Sequence, residues 1–207
     1  MKSGADIYKL IGESRPGCLF VFTGPSGAGK STICRVVLKD VPGINFSVSH
    51  TTRPARADET DGRDYFFVSE KDFESLVKED RFVEHATVHG YRYGTSRDQL
   101  DEKLGRGDVL LDVDVQGASQ IRSRFPSAPS VFILPPSLDA LRARLVERGS
   151  NDAADIESRI SKAELEVREA VDFDYFVVND RLDDAVVTAK SIIEAERHSL
   201  RRRLGVR

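Results

Sequence analysis

An apolar run, CLFVFT at 18–23, leads straight into GPSGAGKS at 24–31, and a helical pattern, TICRVVLKDV, follows it up to Pro42 and Gly43. This order constrains the fold more than any other feature of the 207-residue chain. A continuous apolar run of strand length reads as a strand buried on both faces, as in a parallel sheet. The turn after it fits the P-loop pattern. Its glycines let the backbone wrap an anion with N–H groups pointing inward, and the helix that starts there adds a favourable dipole. Lys30 supplies a mobile positive charge for the β- and γ-phosphates, and Ser31 a hydroxyl for Mg²⁺. The pattern in this setting implies a bound nucleoside triphosphate. It does not name the group that receives the phosphate.

The remainder alternates in the same way. DVLLDVDV at 108–115, SVFILP at 130–135 and DYFVVN at 174–179 are further apolar strands. Between them, Ser96 and Gln99 fit a capping box for a helix that stops around Gly105, a helix from about 117 to 125 ends before Pro126, and Ser137 caps a helix running to Gly149. Residues 155–171 form a charged amphipathic helix, and the residues after 179 read as one long helix. Strands alternating with helices predict an α/β fold of the P-loop nucleoside-triphosphate hydrolase type, a parallel sheet with helices on both faces. Residues 44–95 break the rhythm. NFSVSH, DYFFV and FVEHATV are short and alternating, and the loop RPARADETDGRD between two of them is charged and flexible. This predicts a small, partly antiparallel insertion with one short helix at about 70–79, introduced by Ser69 with Asp72 three residues on.

With 31 basic and 34 acidic residues and a net charge of -3, the chain lacks the basic balance of a nucleic-acid binder. A local cluster of arginines in an acidic protein still suits small phosphorylated ligands. No apolar run approaches the roughly 18–20 residues of a bilayer span, and the first fifteen residues lack the apolar core of a signal peptide. The expectation is a cytoplasmic protein with no membrane or nucleic-acid partner. Cys18 and Cys34 sit in apolar surroundings and read as buried reduced thiols. The basic segment at 197–207 reads as a solvated helix end. The oligomeric state is not fixed by the sequence, and a homodimer is left open.

Candidate site residues follow from local chemistry. Asp112 and Asp114 end an apolar strand, where an acid that serves the metal would sit, and alternation puts both on one face; the competing reading is a pair of carboxylates that cap a neighbouring helix. Arg53 and Arg56 flank Pro54 on a loop, and two guanidiniums in a fixed fork clamp a phosphomonoester. Tyr65 and Tyr93 could give hydroxyls to the same phosphate, although isolated tyrosines more often pack. Glu84 lies inside the apolar strand FVEHATV. If buried, it needs a partner. Guanine offers N1–H and N2–H₂ side by side to one carboxylate, whereas adenine offers no such pair, so a buried Glu84 would select guanine. The plain alternative is a surface glutamate on an edge strand.

Taken together, SVSHTTRPAR, DYFFV, FVEHATVHGYRYGTSR, LDVDVQGA, FILPPS, ERGS and VVND occur in the order in which they stand in guanylate kinases, and the chain resembles that family from about Leu19 to about Glu196. The resemblance implies a five-stranded parallel core, a GMP-binding lobe, a short lid, and transfer of the terminal phosphoryl group of ATP to GMP with Mg²⁺. It implies that Gly24, Pro25, Ser26, Gly27, Ala28, Gly29, Lys30, Ser31 and Thr32 hold ATP, with Asn179 near the adenine. It implies that Ser49, Glu84 and Thr95 read the guanine, and that Arg53, Arg56, Tyr65 and Tyr93 hold the GMP phosphate. Asp112 would sit close to metal and acceptor. Arg148 and Arg159 would reach the ATP phosphates from the lid side.

The expected organisation is a polar lead-in at 1–16, a kinase domain at 17–197 and a basic tail at 198–207. Within the domain the core is 17–46 and 96–197, the GMP lobe about 47–95 and the lid about 148–160. Two rival readings are a P-loop kinase for a sugar phosphate and a non-catalytic phosphopeptide-binding module. Glu84 with Ser49 argues against the first, and the intact P-loop against the second.

Overall fold

In the computed structural model, which describes residues 17–147 and 153–203, every residue of β1 (Leu19–Thr23) is buried. The other strands are β2 (Ile44–Phe46), β3 (His50–Thr51), β4 (Phe66–Phe67), β5 (Phe82–Val88), β6 (Tyr91–Ser96), β7 (Asp108–Asp112), β8 (Ser130–Leu134) and β9 (Tyr175–Val178). The helices are α1 (Lys30–Asp40), α2 (Glu70–Lys78), α3 (Arg97–Leu104), α4 (Val115–Arg124), α5 (Leu138–Glu147), α6 (Ala153–Arg168, continued by a 3₁₀ turn at Glu169–Asp172), α7 (Leu182–Arg197) and α8 (Leu200–Arg203). The lead-in, Arg148 and the end of the basic tail lie outside the described residues. No described helix is long and apolar enough to cross a membrane.

Five parallel strands form the core sheet in the order β2-β7-β1-β8-β9. Side chains alternate across it with period two, so β1 feeds two cores. Phe20 and Phe22 pack on one face with Ile33, Cys34 and Val37 of α1 and Ala189 and Ile193 of α7. Leu19 and Val21 pack on the other with Leu100 of α3 and Ala118 and Ile121 of α4. Each buried phenylalanine contributes roughly 2–3 kcal/mol of burial. A strand covered on both sides must be apolar at every position, which is why CLFVFT carries no alternation. Cys18 and Cys34 are both buried.

The second sheet, β4-β3-β6-β5, is mixed: β3 pairs parallel with β4 and antiparallel with β6, and β5 pairs antiparallel with β6. It accounts for the insertion, with one correction. NFSVSH is not one strand of it. Ile44–Phe46 joins the core sheet beside β7, and only His50–Thr51 belongs to the insertion. Ser69 caps α2 by accepting from the Asp72 N–H at 3.1 Å, and Ser137 caps α5 by accepting from the Ala140 N–H at 3.0 Å.

The C-terminal segment also differs from one long helix. It breaks at His198 and Ser199, where the Ser199 hydroxyl accepts from the Arg202 N–H and opens a separate short helix. Arg197 Nε donates to Asp108 Oδ2 at 2.8 Å and its Nη2 to Pro42 O, while Arg202 Nε donates to Glu196 Oε2 at 2.5 Å. Asp108 is fully buried and also accepts from the Cys18 N–H. Arg197→Ala is therefore expected to lower stability by about 2 kcal/mol, the worth of a hydrogen bond to a buried charge. Urea unfolding would read this as a lower midpoint with an unchanged slope.

Candidate active site

The P-loop glycines are where the backbone demands them. Gly24, Gly27 and Gly29 have φ of 139°, 92° and 91°, which L side chains rarely adopt. A Cβ on Gly24 would lie 2.1 Å from Ile133 O, and one on Gly29 would lie 2.2 Å from Asn179 Nδ2. Lys30 Nζ folds back over the loop and donates to Gly24 O at 2.7 Å and to Pro25 O at 3.3 Å. Ser31 Oγ donates to Asp112 Oδ2 at 2.6 Å, which joins the start of α1 to the end of β7. Asn179 is buried, and its amide donates to Ala28 O at 2.7 Å, so it braces the loop from below. Ser26 is exposed on the loop, and Thr32 follows within α1.

Asp112 and Asp114 do not share a face, which corrects the expectation drawn from alternation. The strand ends at Asp112. Helix α4 begins at Val115, two residues earlier than the pattern suggested, and Asp114 is its N-cap, with Oδ1 accepting from the Gly117 N–H at 2.9 Å. The capping alternative holds for Asp114 and not for Asp112. The other oxygen, Asp114 Oδ2, is buried and has no hydrogen-bond partner among the described residues.

The Asp114 carboxylate stands near Glu84, which is 3% exposed: both approach Gly117, and the charge of Asp114 acts on Glu84. Glu84 Oε1 accepts from the Thr95 hydroxyl at 2.6 Å. A Cβ on Gly117 would stand 2.5 Å from Glu84 Oε2, so the absence of a side chain there admits the carboxylate to the first turn of α4. Burial pushes the Glu84 carboxyl up to about 7; the negative charge of Asp114 adds to this, and the Thr95 hydrogen bond and Arg124 oppose it. Ser49 precedes β3 in the same sheet, and its carbonyl accepts from the Phe66 N–H.

Arg53 is held by a residue that sequence reasoning overlooked. Its Nη2 donates to both oxygens of Glu59, at 2.7 and 2.9 Å, and its guanidinium lies over the Tyr65 ring. Glu59 also accepts from the Arg56 N–H at 2.8 Å, while the Arg56 residue is exposed. Tyr65 and Tyr93 meet edge to face with ring centroids 5.9 Å apart. Burial, then the charge of Asp112, pushes the Tyr65 phenol up to about 12, so it remains a donor at neutral pH. Asp112 is thus felt both at α1, through Cys34, and at Tyr65.

On α6, Arg159 Nε lies 3.0 Å from Asp155 Oδ2, and its charge reaches His89 at the tip of the β5–β6 hairpin. Arg148 lies outside the described residues. Glu166 of α6, which the sequence did not single out, is half-buried; burial pushes its carboxyl up, and the charges of Lys162 and Lys30 pull it down.

Known proteins share the sequence pattern and the fold. The sequence model of the Guanylate kinase family matches residues 17–196. The chain is 49% identical to a guanylate kinase of Coxiella burnetii over 180 residues, 86% of this chain and 87% of that one. It is 46% identical to a guanylate kinase of Thiobacillus denitrificans over 188 residues, 88% of this chain and 90% of that one. Among solved structures it is similar to the guanylate kinase from Anaplasma phagocytophilum, with a TM-score of 0.76, 32% identity, and coverage of 90% of this chain and 89% of that chain.

Proposed function

The chain belongs to the guanylate kinase family and catalyses ATP-dependent phosphorylation of GMP to GDP, and we propose that the residues described above carry that reaction. The observation that carries the proposal is the buried Glu84–Thr95 pair, with the Asp114 carboxylate near it. The oxygens of Glu84, together with Asp114, would match the N1–H and the two N2 hydrogens of guanine. Adenine would leave them unsatisfied, and a sugar phosphate has no use for them. Ser49 would complete the base site.

The GMP phosphate would be held by Arg53, Arg56, Tyr65 and Tyr93. Glu59 presets the Arg53 fork, so little side-chain freedom is lost when the phosphate arrives. The triphosphate would sit on the loop from Gly24 to Thr32, and Lys30 would exchange the Gly24 and Pro25 carbonyls for phosphate oxygens. Asn179 would act from beneath, by fixing the loop through Ala28. Arg159, with Arg148 by resemblance, would approach the phosphates from the lid.

Phosphoryl transfer needs alignment, charge neutralisation and exclusion of water more than covalent help. The GMP phosphate oxygen is already a competent nucleophile, so the chain needs no general base. Ser31 Oγ and Asp112 Oδ2, 2.6 Å apart at the mouth of the loop, form an all-oxygen set that suits Mg²⁺. When bound there, Mg²⁺ would neutralise charge on the phosphates. The expected domain arrangement is part of the same proposal: a core of 17–46 and 96–197, a GMP lobe at about 47–95 and a lid at about 148–160. Buried thiols at Cys18 and Cys34 support a cytoplasmic location.

The deciding experiment incubates the protein with ATP, Mg²⁺ and each of GMP, AMP, CMP, UMP and dTMP in turn, and measures ADP. ADP and GDP with GMP alone are expected. ADP with AMP at a comparable rate would remove the base site from the proposal.

A further inference from the structure

Glu84 is carried by a strand with an irregularity at the residue before it. Along β5 and β6, Phe82 stands opposite Ser96 and Glu84 opposite Thr95, so Val83 is an extra residue in a bulge. Phe82, Val83 and Glu84 are all buried in succession, after which exposure alternates again. Val83 enters the core cluster with Leu100 and Ile121, while Glu84 turns to Thr95. Bulges of this kind re-aim a side chain, but they leave ladder groups unpaired.

Helix α4 supplies those missing partners along the open edge of β5. Arg124 Nη1 donates to Phe82 O at 2.9 Å and to Val83 O at 2.7 Å, the two carbonyls that flank the bulge. Gln120, one turn earlier, accepts from the His85 N–H at 3.2 Å and donates to His85 O at 2.8 Å. A longer bond, 3.4 Å, reaches Phe82 O from Arg97. Backbone groups on both sides of Glu84 are therefore tied to the helix whose N-cap is Asp114.

We propose that Arg124, assisted by Gln120, is a positioning residue for guanine selection: it holds the bulge at Val83 and thereby sets where the Glu84 carboxylate points. This rests on Glu84 reading guanine. Arg124 does not touch the nucleotide. Its charge is also one of two influences that lower the Glu84 carboxyl, the other being Thr95, against burial and Asp114. Loss of Arg124 would loosen the carboxylate and favour its protonated form, and both effects weaken the same acceptor.

The test is steady-state kinetics of Arg124→Ala, Arg124→Lys and Gln120→Ala, each also made in a Glu84→Gln background. Arg124→Ala is expected to raise KM for GMP about tenfold, with KM for ATP and kcat within about twofold. Arg124→Lys, which keeps a charged donor, is expected to return KM to within about threefold, and Gln120→Ala to raise it about threefold. In the Glu84→Gln background the Arg124 effect should shrink to less than about twofold, because the residue it positions is gone. A merely structural role would lower kcat or thermal stability and leave KM for GMP alone. An unchanged KM in Arg124→Ala, or an equal fold-change in both backgrounds, overturns the proposal. Should Arg124→Ala not fold, the Lys and Gln120 variants decide: an unchanged KM in both overturns it as well. If Glu84→Gln itself leaves KM for GMP unchanged, it is the guanine reading that fails, and the two failures are told apart.

Discussion

Lys30→Met is expected to lower kcat by about a thousandfold while thermal stability and affinity for GMP stay near those of the parent. Methionine keeps the length of the side chain and discards the charge. The ammonium bridges two loop carbonyls, Gly24 O and Pro25 O, on a loop whose form is already set by three glycines at positive φ and by Asn179 beneath it. The fold therefore loses little. The reaction loses the one mobile cation of the P-loop that can follow charge as it develops on the β–γ bridge. An interaction that strengthens only in the transition state shows in kcat rather than in KM. Single-turnover rates with bound ATP would separate the chemical step from release. Turnover within about tenfold of the parent would refute this role.

The features legible in the sequence are those that backbone physics writes into residue types. Only glycine fits at Gly24, where a Cβ would meet Ile133 O, so the P-loop can be read at once. A strand covered on both faces can only be apolar, so β1, β7, β8 and β9 stood out. What was lost depends on where elements end and meet. Alternation alone runs two residues past the end of β7 and puts Asp114 with Asp112 near the metal, whereas Asp114 caps α4 and leaves its Oδ2 without a partner among the described residues. Glu59 stood in a run of charges with nothing to mark it, because its partner Arg53 is chosen by how the loop closes. Arg124 has nothing in the sequence to mark it, at the end of a helix before Pro126. Its meaning comes from a bulge in a strand 41 residues away, and a single misregistered residue leaves no pattern in composition or period. The split of NFSVSH between two sheets is of the same kind, since three residues of β2 are too few to show which sheet they join.

Glu84→Gln tests the base site from both sides. At pH 8 the parent presents a carboxylate to two guanine donors, whereas glutamine presents one acceptor and one donor, and the donor faces N–H groups. KM for GMP is expected to rise about a hundredfold with KM for ATP unchanged. In the parent, kcat/KM for GMP should fall as pH drops below about 7, because the protonated carboxyl loses acceptor capacity; in the variant that dependence on Glu84 disappears. Stability should move the other way. The folded carboxyl titrates near 7 and the unfolded one near its ordinary value of 4.5, so between these the native state binds more protons. The ligand-free parent therefore loses stability as pH rises from about 4.5 to about 7, by at most about 3 kcal/mol. Glutamine has no charge to bury and escapes that loss. The variant should match the parent in Tm near pH 5 and exceed it at pH 8, and saturating GMP should restore the parent's advantage. Burial of an ill-paired carboxylate would then be a cost of folding that guanine removes on binding. A variant less stable than the parent at pH 8, with GMP affinity intact, would make the Glu84–Thr95 pair a structural tie and leave the base to be recognised elsewhere.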